Sequence, residues 1–139
     1  MTECIALIRG VNVGRAKRIA MSDLSRLVSD LGHRNVRTLL NSGNVLFECS
    51  RPDPGKLALA LQNAIIEAHG FSAPVAVVTA KDLQVIVREN PLLHLATDPA
   101  RHMVAFARQA GDHVTTRNWA TVLKLLAAST GALRPEAQK

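Results

Sequence analysis

From Cys4 to Arg9 the chain reads CIALIR, an apolar run closed by Gly10. A run this short, with β-branched content, predicts a buried strand rather than a helix. Met21, Leu24, Leu27, Val28 and Leu31 then recur at helical spacing, with Ser22 placed to cap the start and Gly32 to end the helix. Val36–Leu40 and Asn44–Cys49 flank N-S-G, whose Asn and Gly tolerate the positive φ angles of a tight reversal, so this stretch reads as a hairpin. A second helix opens at Asp53-Pro54 and carries Leu57, Leu61, Ala64, Ile65 and Ala68 up to Gly70. Pro74–Val78 predicts a fourth strand, and Thr79 with Asp82 opens a third helix through Leu83, Ile86 and Val87 to Asn90-Pro91.

The order β-α-β-β-α-β predicts an α+β fold, a ferredoxin-like sandwich of four strands with two helices on one face, occupying residues 1–79. Residues 80–131 supply too few elements for a second copy and read as an incomplete second α/β half packed on the first. That half holds the third helix, a strand over His102–Ala107, a polar loop at Gln109–His113 and a last helix. In the last helix Trp119, Val122, Leu123 and Leu126 fall on one face, with Thr115 or Thr116 as cap and Gly131 as stop. No surface for this helix to pack on is legible, and residues 132–139 read as a flexible tail.

Composition narrows the class. The 139 residues are 47% hydrophobic and 20% charged, the profile of one soluble domain. No apolar run approaches the roughly 18 residues of a spanning helix, and MTECIALIRG lacks the features of a signal peptide, so a cytoplasmic protein without membrane attachment is expected. Three Phe, one Trp and no Tyr leave few rings for stacking bases. Two cysteines, Cys4 and Cys49, are too few for a disulfide scaffold; the topology sets them level on adjacent strands, and in a reducing compartment they read as inert thiols. His33, His69, His94, His102 and His113 show no metal-binding spacing, and no metal or cofactor is expected. No nucleophile elbow or carboxylate pair marks an enzyme.

The net charge of +6 permits an anionic partner. The predicted topology brings the loop after the first strand and the turn between strands two and three to one end, with Arg9 beside Asn44. Arg9, Gly10, Asn12, Gly14, Arg15, Lys17, Arg18, Ser42 and Asn44 then share a rim without an acid, near the start of the first helix. Backbone amides about Gly10 and Gly14 add donors, so a phosphate or carboxylate would meet several. The plainer reading is that the glycines let the loop turn, Asn12 closes an Asx-turn and the cations are solvated. R-G-V-N-V-G-R-A-K fits neither the phosphate-loop nor the dinucleotide fingerprint. Arg117 and Asn118 are candidates to complete the rim, against a reading as helix-start residues with Trp119 as core anchor.

Four stretches carry a resemblance: IALIRGVNVG at 5–14, RTLLNSGNV at 37–45, VAF at 104–106 and TTRNWATVLKL at 115–125. Together they resemble the bacterial family called domain of unknown function 1697. The resemblance implies a cytosolic bacterial protein of two ferredoxin-like halves and no established activity, substrate or cofactor. Members usually carry further strands and helices between VAF and TTRNW, where this chain has only Ala107–Val114. The second half is therefore expected to be shortened, leaving strand 102–107 an unpaired edge and favouring a homodimer through that strand or the last helix. The leading functional expectation is an anionic ligand (phosphate, nucleotide or RNA backbone) at the rim. A structural or oligomerisation module and a small-molecule enzyme of unassigned reaction are the alternatives.

Overall fold

β1 (Thr2–Ile8) is apolar on both faces from Cys4 to Ile8, and elements on either side of the sheet cover it. The computed structural model describes residues 2–88, 103–107 and 113–130. β1 lies between β3 (Asn44–Cys49) and β4 (Val75–Thr79), antiparallel to both, and β2 (Arg34–Leu39) pairs antiparallel with β3 at the edge. The sheet order is β2-β3-β1-β4.

On one face Cys4, Ala6 and Ile8 of β1 join Val45, Phe47, Val75 and Val77 beneath α1 (Met21–Asp30) and α2 (Pro54–His69). Leu24 and Val28 come from α1 and Ala58, Leu61 and Ile65 from α2. On the other face Ile5, Leu7, Leu46 and Ala76 pack against Leu83 of α3 (Ala80–Arg88) and Val122 and Leu125 of α4 (Trp119–Thr130). Burying each such Leu, Ile or Phe contributes about 1.5–3 kcal/mol, so neither layer is dispensable. The last helix, for which the sequence showed no partner, thus seals the second face of the sheet.

Local chemistry explains most boundaries. α2 starts where the Asp53 carboxylate accepts from Lys56 N–H, has Pro54 in its first turn, and ends at Gly70 with φ 76°. α3 opens with Asp82 N–H donating to Thr79 Oγ1 at 3.0 Å. α1 does not use Ser22 as its cap. Its cap is Ala20, without a side-chain bond, because the chain entering the helix is held one turn earlier by Asn12. In the hairpin the left-handed residues are Leu40 (φ 63°) and Gly43 (φ 86°), not Asn41: four residues bridge the Leu39–Asn44 pair, so the strained positions are the first and last of the loop.

Thr115 and Thr116 are not caps. His113–Asn118 forms β6, which pairs antiparallel with β5 (Met103–Ala107) in a separate two-stranded sheet. The run of three β-branched residues, Val114, Thr115 and Thr116, favours a ladder over a capping turn. β6 pairs one edge of β5, and among the described residues no strand is paired along its other edge. His113, expected to close the polar loop Gln109–His113, instead opens β6 and pairs with Ala107; residues 109–112, the expected helix stop at Asn90-Pro91, the stop at Gly131 and the tail at 132–139 lie outside the described residues. No helix among the described residues is long and apolar enough to cross a membrane.

Candidate functional site

The loop from Arg9 to Ala20 leaves the end of β1 and folds around one side chain. Asn12, with φ 59°, donates from Nδ2 to Ile19 O at 2.8 Å and to Asn41 O at 3.0 Å, while its Oδ1 accepts from Ile19 N–H at 2.9 Å. Its own N–H donates to Lys17 O at 3.0 Å. One amide thus closes the loop and ties it to the β2–β3 turn, as an Asn in left-handed conformation is suited to do. Arg18 folds back, donating from Nη1 to Gly14 O at 3.2 Å.

Below this loop lies a second polar node. Asn44 is fully buried and donates from Nδ2 to Leu39 O at 2.9 Å and to Ser42 Oγ at 3.1 Å. Its Oδ1 accepts from Arg117 Nε at 2.6 Å. The Arg117 guanidinium, 9% exposed, also donates to Ile8 O at 3.1 Å and Ser42 O at 3.2 Å. Burial pulls the pKa of Arg117 down to about 10, which leaves it charged at neutral pH. Gly43 is packed so closely that a Cβ there would lie 2.9 Å from Ile8 O and from Val11 Cγ2.

The structure divides the candidate residues into two groups. Arg9, Gly10, Gly14, Arg15, Lys17, Arg18 and Ser42 are exposed at the rim, and Asn12 is half-buried within it. Asn44 and Arg117 are joined to each other but sit beneath the surface. The side chain of Asn118 lies outside the described residues. Arg9 does not stand beside Asn44: Leu7 opposes Asn44, and Ile8 N–H donates to Gly43 O, so β1 leaves the ladder before Arg9, whose N–H donates to Pro74 O. Among the described residues the ion pair found joins Arg37 to Glu3, away from the rim, whose cations have no carboxylate partner there. Arg37 also reaches Ala128 O at 3.3 Å and pins the end of α4 to β2, a link that the sequence pattern did not announce.

The three motifs meet here. R-G-V-N-V-G supplies Asn12, S-G-N-V supplies Gly43 and Asn44, and R-N-W supplies Arg117. The family described as protein of unknown function (DUF1697) matches residues 1–125. The chain belongs to this family. A solved structure of a conserved bacterial protein from Streptococcus pneumoniae shares its fold with a TM-score of 0.66 at 22% identity. The alignment covers 96% of this chain and 67% of that one. No curated protein matches the chain. The family description assigns no function, and the structural likeness speaks for the fold alone.

Elsewhere, a cleft of about 270 Å³ between α1 and α2 is lined by Asp23, Arg26, Asp30 and His69. A larger pocket of about 450 Å³ opens at the end of the sheet opposite the rim, beside His33 and Cys49. Among the described residues no group of three or more His, Cys, Asp or Glu is placed to hold a metal ion.

Proposed function

We propose that the rim loop binds an anionic, phosphate-bearing ligand. The observation that carries the reading is a loop held in one shape by Asn12 while Arg9, Arg15, Lys17 and Arg18 stand exposed on it without a carboxylate partner among the described residues. A loop backbone already held in place sets cations and backbone donors close together, so the backbone needs little ordering when a phosphate binds. Buried Arg117 and Asn44 act as the support that holds the turn carrying Ser42 against the loop. A base-stacking mode on the sheet is disfavoured, since Phe47 lies beneath the helices and the opposite face is covered by α3 and α4.

The test is a titration of the full chain with inorganic phosphate, a nucleoside triphosphate and single-stranded RNA at several salt concentrations. Binding is expected to shift amide resonances of residues 9–20 and 41–43. For RNA, log K falls with log salt by about 0.7 per phosphate neutralised, and neutralising Arg15, Lys17 and Arg18 together reduces that slope by about 2. Affinities unchanged by salt and by the triple substitution refute the proposal.

A further inference from the structure

At the end of the sheet away from the rim, Cys4 and Cys49 point into the layer beneath α1 and α2. Their Sγ atoms are 3.8 Å apart, one thiol in hydrogen-bonding contact with the other. Cys4 is fully buried, whereas Cys49 forms part of the wall of the 450 Å³ pocket. That pocket is edged by His33, Arg34, Ser50 and Arg51 and has no acid in its lining. Both arginines are exposed. The nearby carboxylate of Glu48 is engaged by Asn35 Nδ2 at 2.8 Å.

We propose that Cys4 and Cys49 form a redox dithiol that a small anionic disulfide oxidises through this pocket. The two sulfurs must approach from 3.8 Å to a bond length of about 2.05 Å. In register Cys4 opposes Phe47 and Cys49 opposes Thr2, so the cysteines are diagonal, and diagonal positions are farther apart than direct partners. The strand end supplies the movement: β3 stops at Cys49, so this residue shifts without disturbing the ladder from Phe47 onward.

Access sets the order of events. The Cys49 thiolate attacks one sulfur of the reagent, forming a mixed disulfide and releasing one thiolate. Cys4 then loses its proton to that thiolate and attacks Cys49 Sγ; the mixed disulfide breaks, and the second half of the reagent leaves as a thiolate that takes up, through solvent, the proton Cys49 gave up before its attack. Two protein thiols become one disulfide and one reagent disulfide becomes two thiols, which carry away both electrons and both protons. Burial and the neighbouring Cys49 push the Cys4 pKa up to about 12, consistent with its role as the second, shielded thiol. Arg34 and Arg51 at the mouth draw in a reagent carrying carboxylates.

Oxidised glutathione is the probe. The full chain is incubated with it, alkylated under denaturing conditions and weighed by mass spectrometry, with circular dichroism confirming the fold of every variant. The wild type is expected to lose two hydrogens and both alkylation sites. Cys4→Ser stops with one glutathione on Cys49, and Cys49→Ser takes up none. The double variant Arg34→Ala/Arg51→Ala, which leaves both sulfurs in place, reacts roughly tenfold more slowly at low salt. The proposal is overturned if the folded wild type keeps two alkylatable thiols under conditions that oxidise the urea-unfolded chain. Equal glutathione uptake by Cys49→Ser and Cys4→Ser overturns it as well, as does an unchanged rate in the arginine variant at low salt.

Discussion

Replacing Arg117 by Ala tests the polar node on which the rim rests. Among the described residues the two shortest bonds of the guanidinium go to Asn44 Oδ1 at 2.6 Å and Ile8 O at 3.1 Å, with Ser42 O and Gly43 O at 3.2 and 3.4 Å. A hydrogen bond from a charged donor is worth about 1.5–3 kcal/mol, so the two short bonds set a gross scale of about 3–6 kcal/mol. The desolvation that lowers the Arg117 pKa opposes part of this, while the truncation strands buried acceptors. A net loss of about 3 kcal/mol is expected, which for a chain of this size lowers Tm by about 10 °C. Urea and thermal unfolding followed by circular dichroism measure it. Arg117→Lys is expected to fall between the two, because a point charge cannot span Asn44 and the Ile8 carbonyl together as the planar fork does. A double-mutant cycle with Asn44→Ala isolates the pair, with a coupling of at least about 1 kcal/mol expected. A loss below about 1 kcal/mol in Arg117→Ala, or a coupling near zero, refutes the assignment of Arg117 as the clamp of the hairpin turn.

Two further outcomes follow from the geometry. Gly43→Ala is expected to destabilise by about 2 kcal/mol or more, since φ +86° is costly for a side chain and the new methyl meets Ile8 O at 2.9 Å. Gly14→Ala, with φ +70° and nothing within 4 Å, carries only the conformational cost of about 1 kcal/mol, so equal values for the two in chemical unfolding would contradict the packing around Gly43. His33 stacks against Phe47 at a centroid distance of 4.6 Å, and desolvation lowers its pKa below 6.5. The unfolded chain therefore takes up a proton at His33 before the folded chain does, so its contribution falls as pH drops below 6.5. His33→Gln is expected to flatten the loss of stability on acidification in that range, and an unaltered slope in urea midpoints would show that His33 is not responsible.

Much of this architecture was legible in the alternation of apolar positions. The order β-α-β-β-α-β, the adjacency of β1 and β3 and both caps of α2 follow from short-range patterns that tertiary contacts reinforce rather than override. The errors have a common source in local chemistry that two states share. Thr115 and Thr116 suit a helix cap and a strand equally, and only pairing with β5 decides between them. Ser22 is a good cap, but the Asn12 amide already fixes the chain at Ile19 and the helix starts before it is needed. β1 reads CIALI without a polar break, the pattern of a strand covered on both faces, which calls for a second helical layer. At the rim, the gathering of Asn12, Ser42 and Asn44 was legible from topology, whereas Arg117 stood only as an alternative to a helix-start residue and the depth of Asn44 and Arg117 was not legible. Whether a guanidinium points outward or fills a polar hole depends on carbonyls at Ile8, Ser42 and Gly43 that no residue type advertises.

The two-sided sheet also sets a timetable for the nascent chain. By Thr79 all four strands of the main sheet have been made, and α1 and α2 can already close one face. On the other face Ile5, Leu7, Leu46 and Ala76 meet Leu83 four residues after Thr79 but wait for Val122 and Leu125, which are synthesised 43 and 46 residues after it. At about 5–20 residues per second that interval lasts a few seconds. Until α4 is made, α3 is the helix available to cover that side of the sheet, and the arrival of α4 ends the exposure of what α3 leaves open.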